Sequence, residues 1–192
     1  MRTGTGLSRA WAWVSGEVTE TKPHTLGRPS ELATSVIEVV DLDRCRSIIL
    51  GMTHAHSARP AEIEVIEAIY AAINRDDIAA VAAYLDPAME WIEPPDFPTP
   101  GTYRGIPAVL AHITRGRSTW AEGGCELEGF FAGGDRIVVF VRARVRLEGR
   151  TEWLDGPFAD GWILRDGKAV LAQSFGQRRD GLVWAGIDAS GY

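Results

Sequence analysis

The sequence predicts an α+β domain in which three helices are followed by an antiparallel meander. Three observations carry that reading. Residues 63–85 repeat apolar side chains at helical period, with Ile63, Ile66, Ile69, Tyr70 and Ile73 on one face and Ile78, Val81, Ala82 and Leu85 on a second. Residues 137–147 alternate at period two instead, Val139, Val141, Ala143, Val145 and Leu147 against Phe140, Arg142, Arg144 and Arg146. Reversals at Gly133-Gly134-Asp135 and Asp166-Gly167 separate the strands, since glycine accepts the positive φ such turns demand.

Taken in order, the first helix ends near Asn74 and the second is capped by Asp76 or Asp77, whose carboxylates can accept its free amide hydrogens. Asp86-Pro87 is expected to halt that helix, and a short strand follows at Glu90-Trp91-Ile92-Glu93. A proline-punctuated mouth comes next. Pro107 suits the first turn of a third helix, whose stripe of Val109, Leu110 and Ile113 ends at Arg115-Gly116. Strands are expected over 125–131, 136–148, 153–164 and 168–177.

In the strand over 153–164, Phe158, Asp160, Trp162 and Leu164 share a face, so Asp160 sits among large apolar neighbours. A carboxyl group there is either neutral, because burial disfavours its charged form, or paired with Arg142 or Arg144 of the neighbouring strand. The arginine row is either a solvated outer face or an anion site, inside the curve of the sheet or across a dimer interface, with Arg142 as its deepest member.

The 192 residues suffice for one domain with extensions, and a net charge of −6 without a dense Lys/Arg run excludes nucleic acid as the expected partner. Cys45 and Cys125 are far apart and have no Cys/His spacing around them, so neither a disulfide framework nor a metal site is indicated, and reduced thiols in a cytoplasmic protein fit best. His54 and His56 read as solvated. No apolar run is long enough to span a bilayer, and residues 10–14 are too short for a signal-peptide core, so no membrane is expected. Residues 1–57 read as a flexible extension, or as a lid or dimer arm through the apolar patches at 36–40 and 48–50, and translation starting at Met52 is an alternative. Residues 58–180 form the domain and 181–192 a C-terminal tail.

The succession of Tyr70, Asn74-Arg75-Asp76-Asp77-Ile78, Leu85-Asp86-Pro87, Glu90-Trp91-Ile92-Glu93-Pro94, Thr102-Tyr103-Arg104-Gly105 and Trp162-Ile163-Leu164-Arg165-Asp166-Gly167-Lys168 resembles the nuclear transport factor 2-like superfamily and its SnoaL-like branch, which also holds the ketosteroid isomerases. The resemblance implies that the helices pack in the concave side of a curved sheet, a cone-shaped α+β barrel around a pocket. It also implies a homodimer through the convex face, for which the outward rows of 136–148 and 168–177 are the candidates.

In the ketosteroid isomerases a helix-one tyrosine and a protonated aspartic acid hold an enolate oxygen while a second carboxylate moves the proton. By resemblance Tyr70, Asp160 and Glu93 take those three places, although the base here is Glu and the turn after Tyr70 is shorter. Trp91, Phe97, Tyr103, His112, Trp120, Arg142, Phe158 and Trp162 are the expected ligand-binding residues, and His112, three residues after Val109, is a candidate proton carrier near neutral pH. The limonene-epoxide-hydrolase reaction of this fold is disfavoured, because Arg142-Ala143-Arg144 and Ser174 stand where its Asp-Arg-Asp arrangement would be. What the resemblance implies is a small, largely apolar organic ligand and an isomerase or cyclase that needs no cofactor. The competing expectation is a non-catalytic ligand-binding or dimeric interaction module.

Overall fold

Helix α1 (Pro60–Asn74) opens the computed structural model, which describes residues 60–192; the expected extension at 1–57, Met52, Cys45, His54 and His56 lie outside the described residues. Of its predicted stripe Ile66, Ile69, Tyr70 and Ile73 are buried, together with Ala72, while Ile63 is half-buried. Asn74 closes the helix by clasping the backbone of the sheet: its Nδ2 donates to Cys125 O at 2.8 Å and its Oδ1 accepts from Cys125 N at 2.9 Å. Asp76 adopts φ 60 in the turn, and Asp77 is the cap of α2 (Ile78–Val81), accepting from Ala80 N.

The second helix is a single α turn continued as a 3₁₀ turn over Ala82–Tyr84, and β1 (Leu85–Glu93) begins before the proline. Asp86-Pro87 therefore lies inside a strand rather than stopping a helix. The ladder tolerates a residue without an N–H there because the register of β1 against its neighbour shifts between Leu85 and Glu90. A second short strand, β2 (Gly101–Arg104), pairs with β1 on the sheet edge where only a mouth was expected. Helix α3 (Ile106–Arg117) carries Pro107 in its first turn and Arg115 and Arg117 in its last, where cations suit the helix C-terminus.

Four long strands follow: β3 (Trp120–Gly133), β4 (Arg136–Leu147), β5 (Trp153–Arg165) and β6 (Lys168–Phe175). The sheet order is β2-β1-β6-β5-β4-β3, and β1 and β6 run parallel, so the sheet is not the all-antiparallel meander expected. The third helix comes after two strands, where one short strand was expected before it. The edge strands β2 and β3 do not meet, which leaves a curved, open sheet. Two register shifts bend β3; just after the first, Gly123 takes φ +98 and an added Cβ would lie 2.0 Å from Arg144 O, so only glycine fits.

The predicted alternation of β4 sorts the two faces. Val139 and Val141, with Phe158 and Trp162 of β5 and Ala172 of β6, pack under the helices in the main core. On the convex side Val138, Phe140 and Ala159 are also apolar, and such a face must be covered. Residues 181–192, expected as a tail, cover it: helix α4 (Arg178–Trp184) and the turn after it bury Leu182, Ala185 and Ala189 against that patch. Part of the row expected to serve a dimer is thus taken by the chain itself. Farther along β4, Arg142 and Arg146 remain outside, bridged to Asp155 at 2.7 Å and Glu122 at 2.6 Å. Among the described residues no helix is long and apolar enough to cross a membrane.

Candidate functional site

The concave face and the helices above it enclose a cavity of about 350 Å³. Each wall follows from a local periodicity. Tyr70 and Ile73 come from the buried stripe of α1, His112 and Ile113 from that of α3, Trp91 and Glu93 from alternate positions of β1, and Phe158 and Asp160 from alternate positions of β5. Cys125, Ala143 and Ser174 add the floor, and Phe97, Pro98 and Thr99 of the β1–β2 loop close one side.

Asp160 is only 2% exposed and accepts a hydrogen bond from Tyr70 Oη through Oδ2, while Oδ1 is buried without a partner in hydrogen-bonding geometry. Burial first, and the charge of Glu93 second, push its pKa up from 3.8 to about 7; the hydroxyls of Tyr70 and of Ser174, its cross-strand neighbour, oppose the rise. The Tyr70 hydroxyl is held well above its ordinary value by burial and then by Asp160, so it keeps its proton. Burial likewise pushes the Cys125 thiol up to about 12, which makes it a neutral wall of the cavity.

Across the cavity, two nitrogens approach one oxygen of Glu93: Oε1 accepts from Trp91 Nε1 at 2.9 Å and lies 3.2 Å from His112 Nε2. The Glu93 side chain is 10% exposed, and Oε2 is buried without a partner. The other ring nitrogen of His112 faces Thr99 Oγ1 at 3.4 Å, and Tyr103 stacks on the imidazole at 3.9 Å and 16° while donating to Thr99 O at 3.0 Å. The cavity thus holds two carboxyl groups, each with one unpartnered oxygen, in largely apolar surroundings.

The sequence matches the SnoaL-like domain over residues 66–172, more than half of the chain. The chain belongs to the SnoaL-like family. Solved structures agree with that fold. TerC co-crystallised with polyporic acid is 24% identical with a TM-score of 0.54, over 66% of this chain and 98% of that one. A nuclear transport factor 2-like protein from Burkholderia thailandensis E264 is 25% identical with a TM-score of 0.54, over 68% of this chain and all of that one, 100%. A protein from Catenulispora acidiphila with a ketosteroid isomerase-like fold, in complex with trimethylamine, is 14% identical with a TM-score of 0.55, over 70% and 99% of the two chains. No curated protein matches the sequence.

In this SnoaL-like chain Tyr70, Glu93 and Asp160, the three residues expected from the resemblance to act together, line one cavity, and so do Trp91, Phe97, His112, Trp120 and Phe158. Tyr103 and Trp162 stand behind the wall: Tyr103 supports His112, and Trp162 is fully buried, 6.2 Å from the Tyr70 ring and 5.4 Å from that of Trp91. Arg142 is the exception and corrects the idea of an inward anion site. Period two turns it to the convex side, where its Nε and Nη2 donate to Asp155 at 2.7 and 3.1 Å. Arg144 lies over Trp153, with 5.0 Å from its guanidinium carbon to the ring centre, so neither arginine pairs with Asp160. Thr99 and Cys125 were not singled out by sequence as site residues, and Ser174 only as the place of a missing carboxylate. Among the described residues no cluster of His, Cys, Asp and Glu has the grouping of a metal site.

Proposed function

We propose that this SnoaL-like chain binds a small, largely apolar organic molecule in the concave cavity and moves a proton on it as a cofactor-free isomerase or cyclase. The observation that carries the reading is the pairing of Asp160, hydrogen-bonded to Tyr70, with Glu93 in one largely apolar cavity. Glu93 Oε2 takes a proton from the carbon beside a carbonyl, and the C–H electron pair becomes the enolate. The Tyr70 and neutral Asp160 hydroxyls donate to the enolate oxygen, and Glu93 returns the proton to carbon. A cavity of about 350 Å³ lies at the small end of ordinary ligand pockets. Neighbouring structures containing polyporic acid or trimethylamine support a small-molecule role for the cavity. A homodimer and a cytoplasmic location belong to the same proposal.

One observation favours a non-catalytic binding module: Tyr70 already donates to Asp160, so its hydroxyl must turn before it can serve a ligand. Phenols of graded acidity separate the two readings, with tryptophan fluorescence as the signal. In the catalytic reading affinity rises with phenol acidity and weakens as pH climbs through about 7, where Asp160 loses its proton. Tyr70→Phe and Asp160→Ala then each weaken binding by about tenfold or more, the loss of a hydrogen bond to a charged oxygen. Glu93→Gln spares phenol affinity and removes hydrogen exchange beside the carbonyl in enolisable cyclic ketones. Affinity indifferent to acidity and to both substitutions would sink the oxyanion reading.

A further inference from the structure

We infer that His112 is a positioning residue for Glu93: with Trp91 it occupies carboxylate oxygen Oε1 and leaves Oε2 alone to exchange a proton in the cavity. A carboxylate oxygen accepts and does not donate, so the 3.2 Å contact is a hydrogen bond only when the imidazole carries its proton on Nε2. Trp91 Nε1, which can only donate, fills the same oxygen at 2.9 Å. Two donors stabilise negative charge at Oε1, whereas Oε2 is buried with no partner and is the more basic of the two. The clamp is itself held. Tyr103 stacks on the ring, Thr99 Oγ1 lies 3.4 Å from Nδ1, and the His112 side chain is 6% exposed. The assignment deepens the proposed proton transfer and takes its catalytic meaning from that reading, because a base fixed in place attacks from one geometry.

Long-range proton–nitrogen correlation spectra of the histidine-labelled full chain test this without a substrate. Four histidines are present, and His112→Gln identifies the signal of interest. The expected result is a His112 proton on Nε2 that exchanges with solvent about tenfold faster in Glu93→Ala, the loss of one hydrogen bond's protection. A proton on Nδ1 with Nε2 bare, or exchange indifferent to Glu93→Ala, overturns the assignment. Carbon-13 titration of the Asp160 carboxyl supplies the second arm, since the charge of Glu93 helps raise that group. His112→Ala, which releases Glu93, lowers the Asp160 midpoint toward that of Glu93→Ala, and His112→Gln, whose amide can donate from a similar place, restores it. A midpoint unmoved by His112→Ala, or equally lowered in His112→Gln, overturns the positioning role. Failure of the catalytic reading would show itself separately, as wild-type protein that exchanges no substrate protons while these ligand-free signals persist.

Discussion

Asp155 and Asp160 lie on one strand and face opposite sides of the sheet, and the contrast between them explains where the chemistry can be. Asp155 is on the exposed side and is matched by the two nitrogens of Arg142. Asp160 faces the cavity, meets a tyrosine and no cation, and is pushed up to about 7. The chain carries arginines on the very next strand, yet period two sends Arg142, Arg144 and Arg146 outward and Val141, Ala143 and Val145 inward. A cation beside Asp160 would hold it ionised. Keeping cations on the convex side leaves a carboxyl group that can be neutral near neutral pH.

Perturbing the two faces should give effects of graded size. Trp162→Ala, which empties the fully buried position behind Tyr70 and Trp91, is expected to cost about 3–5 kcal/mol in urea unfolding. Next comes the pH dependence of stability. Below 3.8 the Asp160 carboxyl is protonated whether folded or unfolded; between there and about 7 only the folded chain keeps the proton. The stability contributed by neutral Asp160 is therefore complete at low pH and is lost as pH rises through about 7. Asp160→Asn should flatten that fall, by up to about 4 kcal/mol between the two ends of the window. An unchanged slope would mean that Asp160 is ionised and that the contrast with Asp155 is false.

A smaller effect probes the convex patch. A Cβ at Gly133 would stand 2.1 Å from Ala185 O, so Gly133→Ala should displace the end of α4 at a cost of about 1–3 kcal/mol, with Trp184 fluorescence reporting the shift. The smallest belongs to the exposed pair: Arg142→Ala is expected to cost under about 1 kcal/mol and to leave phenol affinity unchanged. A larger loss of affinity would return Arg142 to the ligand site.

The helices and long strands were legible because their apolar residues recur at clean periods, and Asp160 could be placed among Phe158 and Trp162 for the same reason. What stayed hidden depends on pairing. Counting back from the Asp166-Gly167 turn puts Gln173 opposite Asp160, but a register shift between Ile163 and Leu164 brings Ser174 there instead. The parallel pairing of β1 with β6 has no local signature, since it joins residues distant in sequence. Asp86-Pro87 misled because proline breaks helices far more often than it occupies a strand, and only the bulge in β1 admits it. The role of α4 was missed because seven residues, Arg178–Trp184, are too few for a clear period.

The position of β6 also orders the assembly of the domain during synthesis. It lies between β1 and β5, yet it is the last strand to leave the ribosome. Without residues 168–175 neither the β1–β2 pair nor the β3–β4–β5 group has its partner on the side that β6 occupies, so each would present an unpaired edge. Nascent chains that stall before Lys168 would hold two sticky edges and a cavity lacking a wall, which makes that stretch of translation the interval of greatest exposure to aggregation.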